Sequence, residues 1–96
     1  MLEKTFQVPF INFLRDRYPG AIVIKTDPSY IRSFPDLLFL FGRNWAAFEA
    51  KRGVYAPKQP NQDYYVETLD NMSFARFVNK RNYLEVVHEM EQTFQI

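Results

Sequence analysis

Three residues of this chain have the types and the spacing to do chemistry: Asp36, Glu49 and Lys51. Glu49 and Lys51 lie two apart at the end of the apolar run Trp45-Ala46-Ala47-Phe48. On a β-strand that spacing sends both side chains to one face and Ala50 to the other. Asp36 opens a second apolar run, Leu37-Leu38-Phe39-Leu40-Phe41. Charges at the ends of such strands are costly unless they are paired or bind a metal. Two carboxylates held close together repel, and a divalent cation relieves that repulsion. Oxygen ligands in a chain with no Cys and one His suit Mg²⁺ or Mn²⁺. The Ala50 backbone carbonyl is a further oxygen ligand on offer. Lys51 beside such a cation would position or deprotonate a water. The collection suits hydrolysis of a phosphodiester. The competing reading is a salt bridge at a strand end, because Pro-Asp followed later by Glu-x-Lys also arises by chance.

The elements that must position these residues follow from periodicity. Leu2, Phe6, Phe10, Phe13 and Leu14 recur at helical spacing and predict a helix from residue 2 to about 18. Pro9 either kinks that helix or sits in the first turn of one that starts near Val8. A short strand over Ala21–Lys25 follows, then a loop with two prolines. Asp36–Phe41 reads as a strand buried on both faces, because its apolar run is unbroken. Gly42-Arg43-Asn44 is the turn to a third strand, Trp45–Lys51. A hairpin turning about Arg43 sets Asp36 opposite Ala50, next to both Glu49 and Lys51. A site forms only if the register, this one or its one-residue neighbour, brings all three to a common face. Gln62–Met72 reads as a helix with Tyr65, Val66, Leu69 and Met72 inward. Phe74–Val78 is a fourth strand, and Asn79 is the expected cap of a last helix over Tyr83, Leu84, Val87 and Met90. The order αβββαβα predicts an α/β fold, with a central mixed sheet of about four strands flanked by helices. The 96 residues make one domain, 1–96.

Composition narrows the function classes. A 47% apolar fraction with ten Phe and six Tyr forms a core and excludes wholesale disorder. A net charge of +1 advertises neither a nucleic-acid binder nor a membrane-surface protein. The absence of Cys excludes disulfide scaffolds, thiolate metal sites and cysteine nucleophiles, and fits an intracellular location. No apolar run approaches a bilayer span, and the opening Met1-Leu2-Glu3-Lys4 does not read as a secretory signal.

The segments Arg32-Ser33-Phe34-Pro35-Asp36-Leu37-Leu38-Phe39-Leu40 and Ala47-Phe48-Glu49-Ala50-Lys51-Arg52-Gly53 resemble the PD-(D/E)XK nuclease superfamily. Within it the chain is most similar to stand-alone, phage-like members of the VRR-NUC (virus-type replication-repair nuclease) branch. There a Pro-Asp strand start is followed by Glu-x-Lys on the next strand, then by a Gln that opens a helix. The resemblance covers roughly residues 20–90. It implies a compact restriction-endonuclease-like core and a Mg²⁺- or Mn²⁺-dependent, structure-selective DNA endonuclease. Asp36 and Glu49 would be metal ligands, Lys51 the catalytic lysine and Gln62 a supporting site residue. Glu3 is a candidate further ligand, because an acid from the first helix completes the metal site in many members. Small members resemble Holliday-junction resolvases and act as homodimers, in the cytoplasm of a bacterium or of a phage-infected host. The alternatives on the same fold are a non-catalytic DNA-binding or assembly module and a nickase or flap-type nuclease. Phe34 departs from the pattern, standing where a small residue usually precedes Pro-Asp, and so would narrow the site or pack at a dimer interface. Met72 stands where a Gly often ends the helix.

Charge is unevenly spread. Residues 31–60 hold five Lys or Arg against two acids, whereas Glu85, Glu89 and Glu91 have no Lys or Arg near them in residues 82–96. Arg32, Arg43, Arg52, Lys58, Arg76, Lys80 and Arg81 are therefore candidate phosphate contacts. The loop bearing Ser29, Tyr30 and Arg32 could touch DNA; ordinary loop polarity is the alternative. His88, far in sequence from the acids, reads as a flank residue.

Overall fold

A computed structural model describes the backbone of residues 2–51, 53, 57 and 61–96, and side chains from Phe6 onward within them. The elements run α1 (Leu2–Arg17), β1 (Ile22–Lys25), β2 (Leu37–Phe41), β3 (Asn44–Ala50), α2 (Gln62–Met72), β4 (Ala75–Val78) and α3 (Tyr83–Phe94). This is the expected αβββαβα order. The sheet is mixed, with strand order β1-β2-β3-β4. β1, β2 and β3 form an antiparallel meander, and α2 crosses over to lay β4 parallel to β3. Among the described residues, no helix is long and apolar enough to cross a membrane.

The two faces of the sheet are covered unequally. Phe6, Phe10 and Leu14 of α1 and Val86, Val87 and Met90 of α3 close over Leu37, Phe39, Ala46, Phe48 and Ala50. Aromatic rings dominate this core; Phe10 meets Phe48 edge to face at 5.2 Å. On the other face α2 brings only Val66 and Leu69 against Ala47, Ala75, Leu38, Trp45 and Phe77. β1 and β2 are left partly bare there, with Ile22, Ile24 and Leu40 exposed. The expectation that β2 is buried on both faces is thus corrected. Leu37 and Phe39 are buried, Leu38 only half, because the one helix on that side covers β3 and β4.

Smaller corrections share one cause, that a helix buries a narrow stripe. Leu84 and Met72 are exposed rather than inward. Tyr83, Val86, Val87 and Met90 form the inner stripe of α3, and Leu84 falls outside it. Met72 ends α2, just before the chain turns at Ser73 towards β4. α1 runs through Pro9, which is exposed, so the hydrogen bond it cannot donate is lost on the solvent side. Asn82, not Asn79, is the N-cap of α3. Asn79 organises the preceding turn instead, its Oδ1 accepting from the Arg81 and Asn82 N–H groups.

The hairpin register decides the site. Phe41 pairs with Asn44, so the loop is the two residues Gly42-Arg43 rather than a three-residue turn centred on Arg43. Gly42 has φ +62, the left-handed conformation that the first position of a tight II′ hairpin turn requires. The shorter loop shifts the pairing by one residue, so that Leu37 faces Phe48. One step further sets Asp36 opposite Glu49, not opposite Ala50. A one-residue shift exchanges the faces. This shift gives Asp36 the parity of Glu49 along the ladder, and the two line one cleft.

Candidate active site

The site lies where β2 begins and β3 ends. Residues 47, 49 and 51 direct their backbone groups to β4, as the bonds from the Ala47 N–H to the Phe74 carbonyl and from the Lys51 N–H to the Val78 carbonyl mark. Ala50 therefore directs its own N–H and carbonyl towards β2. The next partner in that ladder is Pro35, which has no N–H to offer the Ala50 carbonyl. The Pro35 carbonyl accepts instead from Thr26 Oγ1 at 2.8 Å. The Ala50 N–H donates to Asp36 Oδ1 at 3.0 Å. Proline before Asp36 thus ends the ladder where the site needs backbone groups, and the Asp36 carboxylate takes over one of them.

Glu49, Lys51 and Gln62 are all buried. Gln62, the first residue of α2, links the other two. Its Nε2 donates to Glu49 Oε2 at 3.0 Å, and its Oε1 accepts from Lys51 Nζ at 2.7 Å. Only this amide orientation gives the carboxylate a donor and the ammonium an acceptor. Lys51 Nζ also donates to the Pro57 carbonyl at 3.0 Å and lies 4.0 Å from Glu49 Oε2. Among the described residues, no buried side-chain polar atom lacks a hydrogen-bond partner. The charges that looked costly on apolar strands are compensated here by this relay.

Asp36 is set apart. It is partly buried, and its Oδ2 accepts from Gln7 Nε2 at 2.9 Å. Burial pushes its carboxyl above the usual range; the Ala50 N–H, the Gln7 amide and, more weakly, the Lys51 charge oppose that shift. A carboxylate so desolvated gains from a nearby cation. Gln7 is the site residue that sequence reasoning missed. One amide in an amphipathic helix carries no distinguishing signal, and only the packing of α1 reveals its role.

Asp36, Glu49 and Gln62 line one cleft of about 490 Å³ with Arg32, Ser33, Phe34 and Asn61. Ser33 and Asn61 are two of the three described non-glycine residues with left-handed backbone, at φ +67 and +71. Such conformations are uncommon and gather at functional sites. Among the DNA-contact candidates, Arg32 joins the cleft. Lys80 is exposed just beyond Val78, at the sheet end that holds Ala50. Arg43 sits in the hairpin turn at the opposite end. Arg76 pairs with Asp70 and Glu89 and lies over the Phe74 ring, away from the cleft. Arg81 and His88 are exposed. Arg52, Lys58 and the Glu3 side chain lie outside the described residues.

Among the described residues, no three His, Cys, Asp or Glu side chains converge as a metal site. Mg²⁺ does not need three, since it often takes one or two carboxylates and keeps several waters. Asp36 and Glu49 are hard oxygen donors that line one cleft, the Ala50 carbonyl is the oxygen next to Glu49 along the chain, and that donor set fits Mg²⁺ or Mn²⁺. No family model, curated protein or solved structure matches this chain.

Proposed function

We propose that this chain is a Mg²⁺- or Mn²⁺-dependent endonuclease that hydrolyses phosphodiester bonds in DNA. Branched DNA, in particular the four-way junction, is the proposed substrate, and two copies of the chain act together. The observation that carries the reading is that Asp36, Glu49 and Gln62 line one cleft, with the buried Lys51 ammonium donating to Gln62 directly behind it. Hydrolysis adds water across one P–O bond and leaves a phosphate monoester and a hydroxyl. Asp36 and Glu49 would hold the metal, with the Ala50 carbonyl as a further oxygen. Bound there, the ion supplies positive charge where the phosphate accumulates negative charge. Lys51 holds the attacking water and assists its deprotonation. Gln62 fixes the Lys51 ammonium and Glu49 relative to each other, which restricts both to one geometry. The Gln7 amide and the Ala50 N–H hold the Asp36 carboxylate in place.

A second reading, a DNA-binding module without turnover, draws on a specific observation. The Lys51–Gln62–Glu49 relay is satisfied by protein groups alone, so it needs no metal to be stable. Labelled four-way junction, flap and linear duplex, incubated with Mg²⁺, Mn²⁺ or EDTA, separate the two. Paired symmetric cuts in the junction that need metal, and fall about 100-fold or more in Lys51→Met, support the junction nuclease. Single cuts at the flap or in one strand move the reading to a flap enzyme or nickase. Metal-independent binding with no cut in any substrate leaves the module. Sedimentation of the free protein tests the dimer.

A further inference from the structure

Phe34 is shared by two concavities. On one side it lines the cleft with Asp36, Glu49 and Arg32. On the other it lines a hollow of about 330 Å³ with Thr26, Asp27, Tyr30 and Ile31. The Phe34 ring is braced from α2. Tyr65 packs on it with centroids 5.6 Å apart and planes at 64°, and Tyr64 packs on Tyr65 at 5.2 Å. The left-handed turn at Ser33 comes immediately before it. Tyr30 is 86% exposed, and among the described residues no other ring packs against it. Arg32, two residues before Phe34, has no ion-pair partner among the described residues.

We propose that this hollow is a subsite for one unpaired nucleobase next to the scissile phosphate. The inference rests on the nuclease reading for the position of that phosphate. The hollow offers two aromatic side chains and an aliphatic one, with a hydroxyl and a carboxylate in the same lining. A nucleobase has the matching form, flat apolar faces and a polar edge. Its phosphate would face Arg32 and the acid cleft, where a cation completes the charge complementarity. A base inside a duplex is stacked on both sides and cannot fill the hollow, whereas an unpaired base stacks readily on aromatic side chains. The substrate class therefore sharpens to DNA with an unpaired or easily unpaired nucleotide at the cut, as at a junction centre, flap base or gap.

The test uses the whole chain and oligonucleotides carrying 2-aminopurine, whose fluorescence reports stacking, at an unpaired position or inside a continuous duplex. Binding is measured in EDTA and cleavage in Mg²⁺. The expected result is a fluorescence change with the unpaired probe alone. Tyr30→Ala, which removes an exposed side chain, should weaken binding of the unpaired probe about 5-fold or more and leave duplex binding unchanged. Phe34→Leu keeps apolar volume, removes the ring and should weaken binding of the unpaired probe by a similar factor. Equal wild-type affinity for both probes overturns the subsite, as does wild-type binding of the unpaired probe by both variants. Efficient cleavage with no preference for unpaired nucleotides sinks the subsite alone. Stacking without cleavage of any substrate sinks the nuclease reading and leaves the subsite standing.

Discussion

The two faces of the sheet use the same strands for different ends. Along β3, Phe48 and Ala50 turn towards α1 and α3 and vanish into an aromatic core, while Glu49 turns towards α2 and its polar relay. Among the described residues the first face buries no charge. The second holds Glu49, Lys51 and Gln62, three of the four buried polar or charged side chains among the described residues. The apolar cluster beneath α2 is correspondingly small. A fold this small has one face to spend on stability, and the other is left to hold a buried polar group that packing alone would not select. Mutations on the first face should therefore act through stability, and mutations on the second should abolish activity whatever they cost in stability.

The largest stability loss should come from Phe48→Ala. Phe48 is fully buried and meets both Phe10 and Phe74. Deleting a core Phe costs about 3–5 kcal/mol, a large share of the roughly 5–15 kcal/mol that holds a domain. Urea denaturation should show the midpoint collapse. A loss under about 1 kcal/mol would mean that this face is not the main support of the fold.

Next in size is the Glu49–Lys51 pair. Lys51→Met removes the ammonium 4.0 Å from the buried Glu49 carboxylate and the bond it donates to Gln62 Oε1, a loss of about 3 kcal/mol. Glu49→Gln combined with Lys51→Met removes both charges, and it should recover about 1–3 kcal/mol relative to the sum of the single changes. Cleavage should be lost in all three proteins. Additive unfolding energies would show that the two side chains do not act as a pair.

The same contrast explains what the sequence could disclose. Element order was legible because periodicity and turn residues report local geometry, and Gln62–Met72 came out to the residue. Glu49 and Lys51 sharing a face needed only their spacing. The position of Asp36 relative to them did not follow, because it depends on whether the turn holds two residues or three, and Gly42-Arg43-Asn44 suits either length. The one-sided cover of β2 was likewise hidden, since Leu37–Phe41 reads the same whether one or both faces meet a helix. Gln7 reaches Asp36 across 29 positions of sequence, a distance at which no local pattern speaks.

A smaller effect separates Asp36 from the relay. Its carboxyl is pushed up from the usual 3.8, chiefly by burial. Its contribution to stability is therefore present below about pH 3.8 and lost as pH rises through the elevated value. In EDTA at neutral pH, Asp36→Asn should gain stability, because Gln7 can turn its amide to meet the new side chain. The gain should disappear in acid. Adding Mg²⁺ should raise the melting temperature of the wild type and not of the variant, since only the wild type keeps both carboxylates. A variant less stable than the wild type at neutral pH would show that the two hydrogen bonds to Asp36 outweigh its burial.

The smallest effect belongs to a carboxylate with the opposite sign. At the far end of α1, Glu91 accepts from Arg17 Nε at 2.8 Å and from Tyr18 Oη at 2.6 Å, tying α1 to α3. These bonds, Arg17 first, hold its carboxyl below the usual 4.5. Its stabilisation is thus present above about pH 4.5 and lost as pH falls through the lowered value. Arg17 is half exposed, so solvent and salt screen the pair and its worth is about 0.5–1 kcal/mol. Glu91→Gln should cost that much at pH 7, less at high salt and nothing in strong acid. Asp36→Asn and Glu91→Gln melted side by side across pH should then move in opposite directions at neutral pH and meet the wild type in acid. Curves that shifted in the same direction would show that burial does not set the Asp36 carboxylate apart from an ordinary ion-paired one.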